Sequence, residues 1–147
     1  MLFRSTATSS AGDVSPASVG TIVRDGTELT AAFTTINPDY LSRVVLTSSH
    51  TADAAVVVTP ILANGGSCGA GTSSFTLPAG KQLFINVPTV CPAITGLPAG
   101  EDTRLGLKIT VAAPKSKIEG VMNMLKKGTA TATSSDLTSY SLTRPAN

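Results

Sequence analysis

The sequence has 147 residues, of which 41% are hydrophobic and 14% charged, and eleven basic against nine acidic residues leave a net charge of +2. This length fits one domain with a single core. No apolar stretch is long enough to predict a membrane span. The lysines closest to a cluster have no aromatic residues between them, which argues against a nucleic-acid partner. Those lysines are Lys115, Lys117, Lys126 and Lys127.

The first 19 residues form a low-complexity segment, MLFRSTATSSAGDVSPASV, that is rich in Ser, Thr and Ala. By itself such a segment buries too little apolar surface to offset the entropy lost on ordering. We therefore interpret residues 1–19 as an extended arm that packs along its own domain or against a neighbouring subunit. A single β domain is predicted over residues 20–147. The arm residues predicted to make intersubunit contacts are Leu2, Phe3, Arg4 and Val14.

Strand patterns begin after Gly20. Thr21–Arg24 and Glu28–Ile36 flank Asp25-Gly26, which predicts a β-hairpin with a tight turn. Leu41–Ser48 follows the turn residues Asn37-Pro38-Asp39 as the next strand. On Glu28–Ile36, the side chains of Leu29, Ala31 and Phe33 are predicted to line one face. On Leu41–Ser48, Val44 and Leu46 are predicted to point inward.

Ala54–Leu62 is apolar at both alternating sets of positions, which indicates a central strand or one covered on both faces. Pro60 predicts a bulge or the end of that strand. Two further strands, Ser73–Leu77 and Lys81–Val87, are separated by the turn Pro78-Ala79-Gly80. A long irregular connection containing three prolines is predicted to follow.

Thr103–Ala113 is the most regular stretch of the chain, because apolar residues occupy every second position from Leu105 to Ala113. This alternation predicts a half-buried strand of an antiparallel sheet whose dry face is covered by a second layer.

Lys117–Leu125 is compatible with two interpretations. A capping box at Ser116 and Glu119 and apolar residues at helical spacing indicate a short helix, but Gly120 would lie inside it. As a strand, the segment places one residue set on a single face, and it would pair with Thr103–Ala113 as a hairpin. We favour the strand because an all-β chain is then consistent throughout. That set is Ile118, Gly120, Met122 and Met124.

Leu137–Leu142 is the last predicted strand, with Tyr140 and Leu142 on one face, and Arg144-Pro145 ends it. Turn signals recur about every 8–12 residues along the chain, which is typical of a sandwich or barrel.

Cys68 and Cys91 are the only cysteines, the first in a glycine-rich loop and the second in a proline-flanked loop. We predict a disulfide between them, worth roughly 3 kcal/mol in the chain-entropy model. A disulfide fits an oxidising compartment. No metal site is expected, because His50 is the only histidine and no CxxC motif is present.

The region from Arg43 to Pro145 resembles an immunoglobulin-like β-sandwich domain of exported bacterial surface proteins. The segments that carry the resemblance are RVVLTSSHTADAAVVVTP, TLPAGKQLFINVP, DTRLGLKITVAAPKSKIEGVMNM and LTSYSLTRP. Together with the strand pattern it implies an all-β fold: an antiparallel immunoglobulin-like β-sandwich of about 7–9 strands with an extended N-terminal arm.

The sequence contains no grouping of residues that predicts catalysis. His50 has no nucleophile and no orienting carboxylate in a recognisable pattern around it, and no glycine-rich segment has the spacing of a phosphate-binding loop. We therefore expect no enzyme activity and no cofactor. With no Trp and two Tyr, the chain also offers little material for the aromatic platform of a carbohydrate-binding module.

These observations predict a non-enzymatic structural subunit that self-assembles into a surface appendage, a filament or a virion-type particle. The arm and the C-terminal segment Ser139–Asn147 are predicted to supply the contacts by completing a neighbour's sheet. An extracellular or cell-surface location is expected, with a virion as the alternative. The alternative function is an adhesin-like ligand-binding module that uses the loops Asn64–Thr72 and Pro88–Asp102. The C-terminal residues predicted to make contacts are Tyr140, Leu142 and Arg144.

Overall fold

A computed structural model describes residues 26–128 and 137–146 of the chain. The predicted arm at 1–19, its contact residues Leu2, Phe3, Arg4 and Val14, and the predicted strand Thr21–Arg24 lie outside these residues. The regular structure of the described part is mostly β-strand with very little helix, and all of its strand pairs are antiparallel. The all-β prediction is therefore confirmed.

Ten strands and one short helix follow each other along the described chain. They are β1 (Thr27–Thr35), β2 (Tyr40–Ser48), β3 (Ala54–Ile61), β4 (Ser67–Cys68), β5 (Ser74–Leu77), β6 (Gln82–Asn86), α1 (Val87–Val90), β7 (Ile94–Thr95), β8 (Arg104–Val111), β9 (Ile118–Lys126) and β10 (Leu137–Ser141). A 3₁₀ turn at Lys115–Lys117 precedes β9. The predicted count of about 7–9 is too low, because β4 and β7 form an additional two-residue ladder beside the cysteines.

The long strands form two four-stranded sheets. The first sheet has the order β1-β8-β3-β5, and the second has the order β10-β9-β2-β6. Apolar side chains from both sheets make up one hydrophobic core, to which Leu29, Val58 and Ile109 contribute from the first sheet and Leu46 and Met122 from the second. The inward set of β8, from Leu105 to Ala113, is buried as its alternation predicts.

The segment after Pro114 is a strand, as favoured above, but its predicted partner is wrong. β9 pairs with β2 and β10, whereas β8 pairs with β1 and β3. The 3₁₀ turn after Pro114 carries the chain from the first sheet to the second, so no β8–β9 hairpin forms. The proline has no backbone N–H to donate to a ladder, and the 3₁₀ turn that follows it is not extended. Together they interrupt strand pairing at this point.

β3 is a central strand, but only one of its faces is covered. Val56 and Val58 are fully buried, whereas Val57 is 45% exposed on the opposite face. Pro60 lies one residue before the end of the strand. Val58 N–H donates to the carbonyl of Ser73, the residue just before β5. Backbone groups two residues apart in a strand face the same side, so the nitrogen of Pro60 also faces this side, at a position beyond the end of β5. Pro60 therefore removes no ladder hydrogen bond.

A β-bulge in β1 reverses the predicted orientation of Phe33. The register shifts between Ala31 and Thr34, so Ala32 and Phe33 together oppose one residue of β8. Leu29 and Ala31 are buried, but Phe33 is 47% exposed. An extra residue in one strand shifts the alternation for everything beyond it, so the prediction that Phe33 shares a face with Leu29 and Ala31 is wrong.

Candidate functional site

The C-terminal strand joins the two sheets along one side of the domain. Leu142 N–H donates to Gly120 of the second sheet over 2.9 Å, and the next residue, Thr143, exchanges two backbone hydrogen bonds with Thr30 of the first sheet. Thr30 lies on β1, so this bridge occupies the outer edge of β1 at that position. The edge that the predicted N-terminal hairpin would use is thus paired with the C-terminal segment at Thr30.

The three C-terminal residues predicted to contact a neighbour all have contacts within their own chain. Leu142 is 8% exposed and belongs to the core. Arg144 donates from its guanidinium to the carbonyls of Lys115 (2.9 Å) and Ile118. Leu142 therefore has little surface to offer a neighbour, and an intersubunit role for Arg144 stays a prediction.

Tyr140 supports the β1 bulge from the second sheet. Its hydroxyl accepts a hydrogen bond from Phe33 N–H over 3.2 Å and donates one to the carbonyl of the same residue. Both backbone groups that the bulge removes from the ladder are satisfied in this way. Partial burial raises the pKa of the Tyr140 hydroxyl, and its backbone hydrogen bond to Phe33 acts in the opposite direction.

A cleft of about 820 Å³ opens beside this contact, and residues of both sheets line it. Its volume is in the range of small-molecule sites. Three aromatic side chains line the cleft: Phe33, Tyr40 and Tyr140. The polar and remaining lining residues are Thr35, Asn37, Gly100, Asp102, Thr103, Arg104, Met124 and Thr138.

The backbone around the cleft is held by a network of short hydrogen bonds. Ile36 N–H and the Thr35 hydroxyl both donate to the carbonyl of Thr103, over 2.8 and 2.9 Å. Asp102 accepts from Gly100 N–H over 3.1 Å, which fixes its carboxylate beside the cleft. These contacts tie the end of β1 to the loop before β8, so the lining residues are positioned before any ligand arrives.

Two buried hydroxyls near the cleft have no hydrogen-bond partner among the described residues. They belong to Thr34 on β1 and Ser42 on β2, and both residues are almost completely buried. Each lies within two positions along the chain of a residue that lines the cleft. Because an unpaired buried hydroxyl costs about 1–3 kcal/mol, the sequence tolerates a stability penalty at this end of the core.

The disulfide between Cys68 and Cys91 is present, with Cα atoms 5.3 Å apart, as predicted. It joins two loops that also pair through β4 and β7 and through a backbone hydrogen bond from Thr72 to Thr89. The neighbouring helix α1 buries Val87 and Val90 in the core. The two long loops named above are therefore attached to each other and to the core.

The described residues contain no helix long and apolar enough to cross a membrane. They also contain no group of three or more His, Cys, Asp or Glu side chains placed to hold a metal ion. Within the same residues, the ring of His50 makes no hydrogen bond or ion pair.

No sequence pattern predicts the cleft. Its lining residues come from β1, the turn after it, β2, the loop before β8, the first residue of β8 and the last two strands, and no motif connects them. The bulge that exposes Phe33 has no sequence signature in this chain, and the two tyrosines are 100 positions apart. Although the chain has few aromatic residues, folding brings three of them together at this cleft.

The sequence matches no protein-family model and no curated protein. A solved structure from Thermotoga maritima, described as Thermotoga maritima 1070, is similar in fold with a TM-score of 0.60. The similarity covers 81% of this chain and 94% of the other at 9% sequence identity. At that identity the likeness concerns the fold alone.

Proposed function

We propose that this protein is a non-enzymatic structural subunit that self-assembles through β-strand contacts in a surface appendage, a filament or a virion-type particle. Its fold would be a β-sandwich of the immunoglobulin-like type found in exported bacterial surface proteins. The observation that carries the proposal is the outer edge of β6, which pairs with no strand of the described residues.

β6 ends the second sheet and leaves backbone groups facing outward. Ser48 N–H donates to the carbonyl of Lys81, so alternate residues from Lys81 onward face β2, and Gln82 and Phe84 face away. Among the described residues, no backbone group pairs with the outward N–H and C=O of Phe84. These groups are available to a strand from another chain.

The composition of β6 also favours pairing. The strand reads QLFIN, with no lysine or proline of the kind that blocks edge pairing. Phe84 is 55% exposed, and the guanidinium of Arg43 lies 5.2 Å from its ring centre. An exposed aromatic side chain on an open edge would add apolar contact area to the backbone hydrogen bonds.

An extracellular or cell-surface location, with a virion as the alternative, is part of the same proposal. The disulfide supports it, since such bonds persist in oxidising compartments. The strand that completes the sheet would come from a second copy of this chain, and residues 1–19 are the segment proposed to provide it.

The test is a proline substitution at the outward position. Phe84→Pro removes the outward N–H without removing a bond to β2, so it should abolish oligomers in light scattering and leave the far-UV circular dichroism unchanged. Phe84→Ala keeps the N–H and should retain most of the assembly. If the proline variant folds poorly, Phe84→Lys serves instead, because a lysine on an edge discourages pairing. A wild-type chain that stays monomeric at high concentration would refute the proposal.

A ligand-binding module is the second candidate, and the cleft favours it. Gly100 and Asp102 of the loop Pro88–Asp102 line the cleft, whereas no residue of Asn64–Thr72 does so. A binding role would therefore use the cleft and one of the two loops rather than both loops together.

A further inference from the structure

The cleft concentrates the aromatic residues of a chain that has few of them. Five aromatic side chains belong to the described residues, and three of these line this one cavity. The bulge turns Phe33 outward at 47% exposure, and the hydroxyl of Tyr140 fixes the backbone that carries it. Bulges commonly redirect a side chain at a functional site. The exposed ring of Phe33 is therefore available to a ligand in the cleft.

Several polar groups in the cleft are uncommitted. Within the described residues, the guanidinium of Arg104 and the hydroxyl of Tyr40 have no hydrogen bond or ion pair, and the same holds for the side-chain NH₂ of Asn37. All three groups can donate hydrogen bonds, and the Tyr40 hydroxyl can also accept one. A purely apolar ligand would desolvate them without replacing their hydrogen bonds to water, which disfavours it.

The charges that line the cleft balance. Among the described residues that line it, Arg104 is the single cationic residue and Asp102 the single anionic one. A strongly charged ligand would meet one attractive and one repulsive group at short range. An uncharged ligand can use both, accepting from the guanidinium and donating to the carboxylate.

We propose that the cleft binds a neutral saccharide, an inference that rests on the second candidate function. A sugar ring has apolar C–H faces that pack on aromatic rings, and hydroxyls at its rim that both donate and accept hydrogen bonds. Phe33 and Tyr40 supply the apolar surface, and Asn37, Asp102 and Arg104 supply the hydrogen-bonding groups. Phe33, Tyr40 and Arg104 are the principal binding residues.

The test is a titration of the isotope-labelled full chain, followed by backbone amide chemical shifts. The probes are maltose, cellobiose, lactose and the disaccharide of N-acetylglucosamine. Each is added to about 20 mM, well above a Kd of about 1 mM. Gluconate and adenosine are the comparison probes, as an anion and as an uncharged aromatic molecule. At least one disaccharide should shift the amides around Phe33, Tyr40 and Thr103.

Two variants connect the binding to the cleft. Phe33→Ala removes a ring that the bulge does not need, so the fold should persist and affinity should fall about tenfold. Val57→Ala removes an apolar side chain of similar exposure (45%) from the outer face of β3, away from the residues that line the cleft, and should leave affinity unchanged. An unchanged affinity in Phe33→Ala would contradict the proposal.

The probes distinguish failure of the saccharide assignment from failure of the binding function. If adenosine or gluconate shifts the cleft amides and no disaccharide does, the cleft is a binding site and the saccharide assignment is wrong. If none of the six probes shifts these amides, both the saccharide assignment and the binding function of the cleft are refuted.

Discussion

The disulfide offers the prediction with the best-defined magnitude. Cys68 and Cys91 are separated by 23 positions, and the cross-link restricts the unfolded chain. The loop-closure relation for a segment of this length gives an entropy of about 11 cal/mol/K, or about 3.4 kcal/mol at 25 °C. Replacing both cysteines by alanine should lower the free energy of unfolding by that amount. For a chain of this size the melting temperature should fall by roughly 7–14 °C.

Urea denaturation followed by far-UV circular dichroism measures this loss, since the chain has no tryptophan. The control is wild-type protein in reductant, which keeps both sulfur atoms in place. Cys91 is fully buried, so an additional loss in the double alanine variant reports its packing. Reduced and oxidised wild type that agree within about 0.5 kcal/mol would show that the restricted unfolded state does not account for the stability.

Two further predictions concern single side chains. A Cβ at Gly71 would lie 2.2 Å from the carbonyl oxygen of Val90, so Gly71→Ala should cost about 3 kcal/mol in urea denaturation, whereas Gly69→Ala in the same loop, with its nearest neighbour at 3.6 Å, should be nearly neutral. Equal costs for the two variants would refute this steric argument. Tyr140→Phe should cost about 1 kcal/mol at neutral pH through the lost bonds to Phe33. Because burial raises the pKa of Tyr140, the folded chain keeps its proton when the unfolded chain has lost it, so wild-type stability should fall as pH rises above 10.0. The Phe variant should show a smaller fall, and an identical pH dependence would contradict this assignment.

Much of the local structure could be predicted from the sequence. Successive side chains of a strand point to opposite faces, so the positions of the apolar residues identify the buried face. The buried set of β8 and the inward residues Val44 and Leu46 follow from this two-residue period. The residue spacing of β9 fits a helix as well as a strand, so its strand conformation followed only from the all-β character of the rest of the chain. The disulfide could be predicted because the two cysteines lie in loops that flank the same pair of strands.

Tertiary structure alone decided which strands are partners and where the cleft lies. The turn after Pro114 moves β9 to the second sheet. Local sequence does not distinguish this pairing from a hairpin with β8; what decides it is the burial of the apolar faces of both sheets in one core. The bulge at Phe33 is stabilised by Tyr140, more than 100 positions away, which satisfies the displaced backbone groups. Strand pattern is a property of neighbouring residues, whereas partner choice and cleft formation depend on contacts between distant ones. Period two therefore predicted the faces of most strands, and folding determined the surface that a ligand or another subunit would meet.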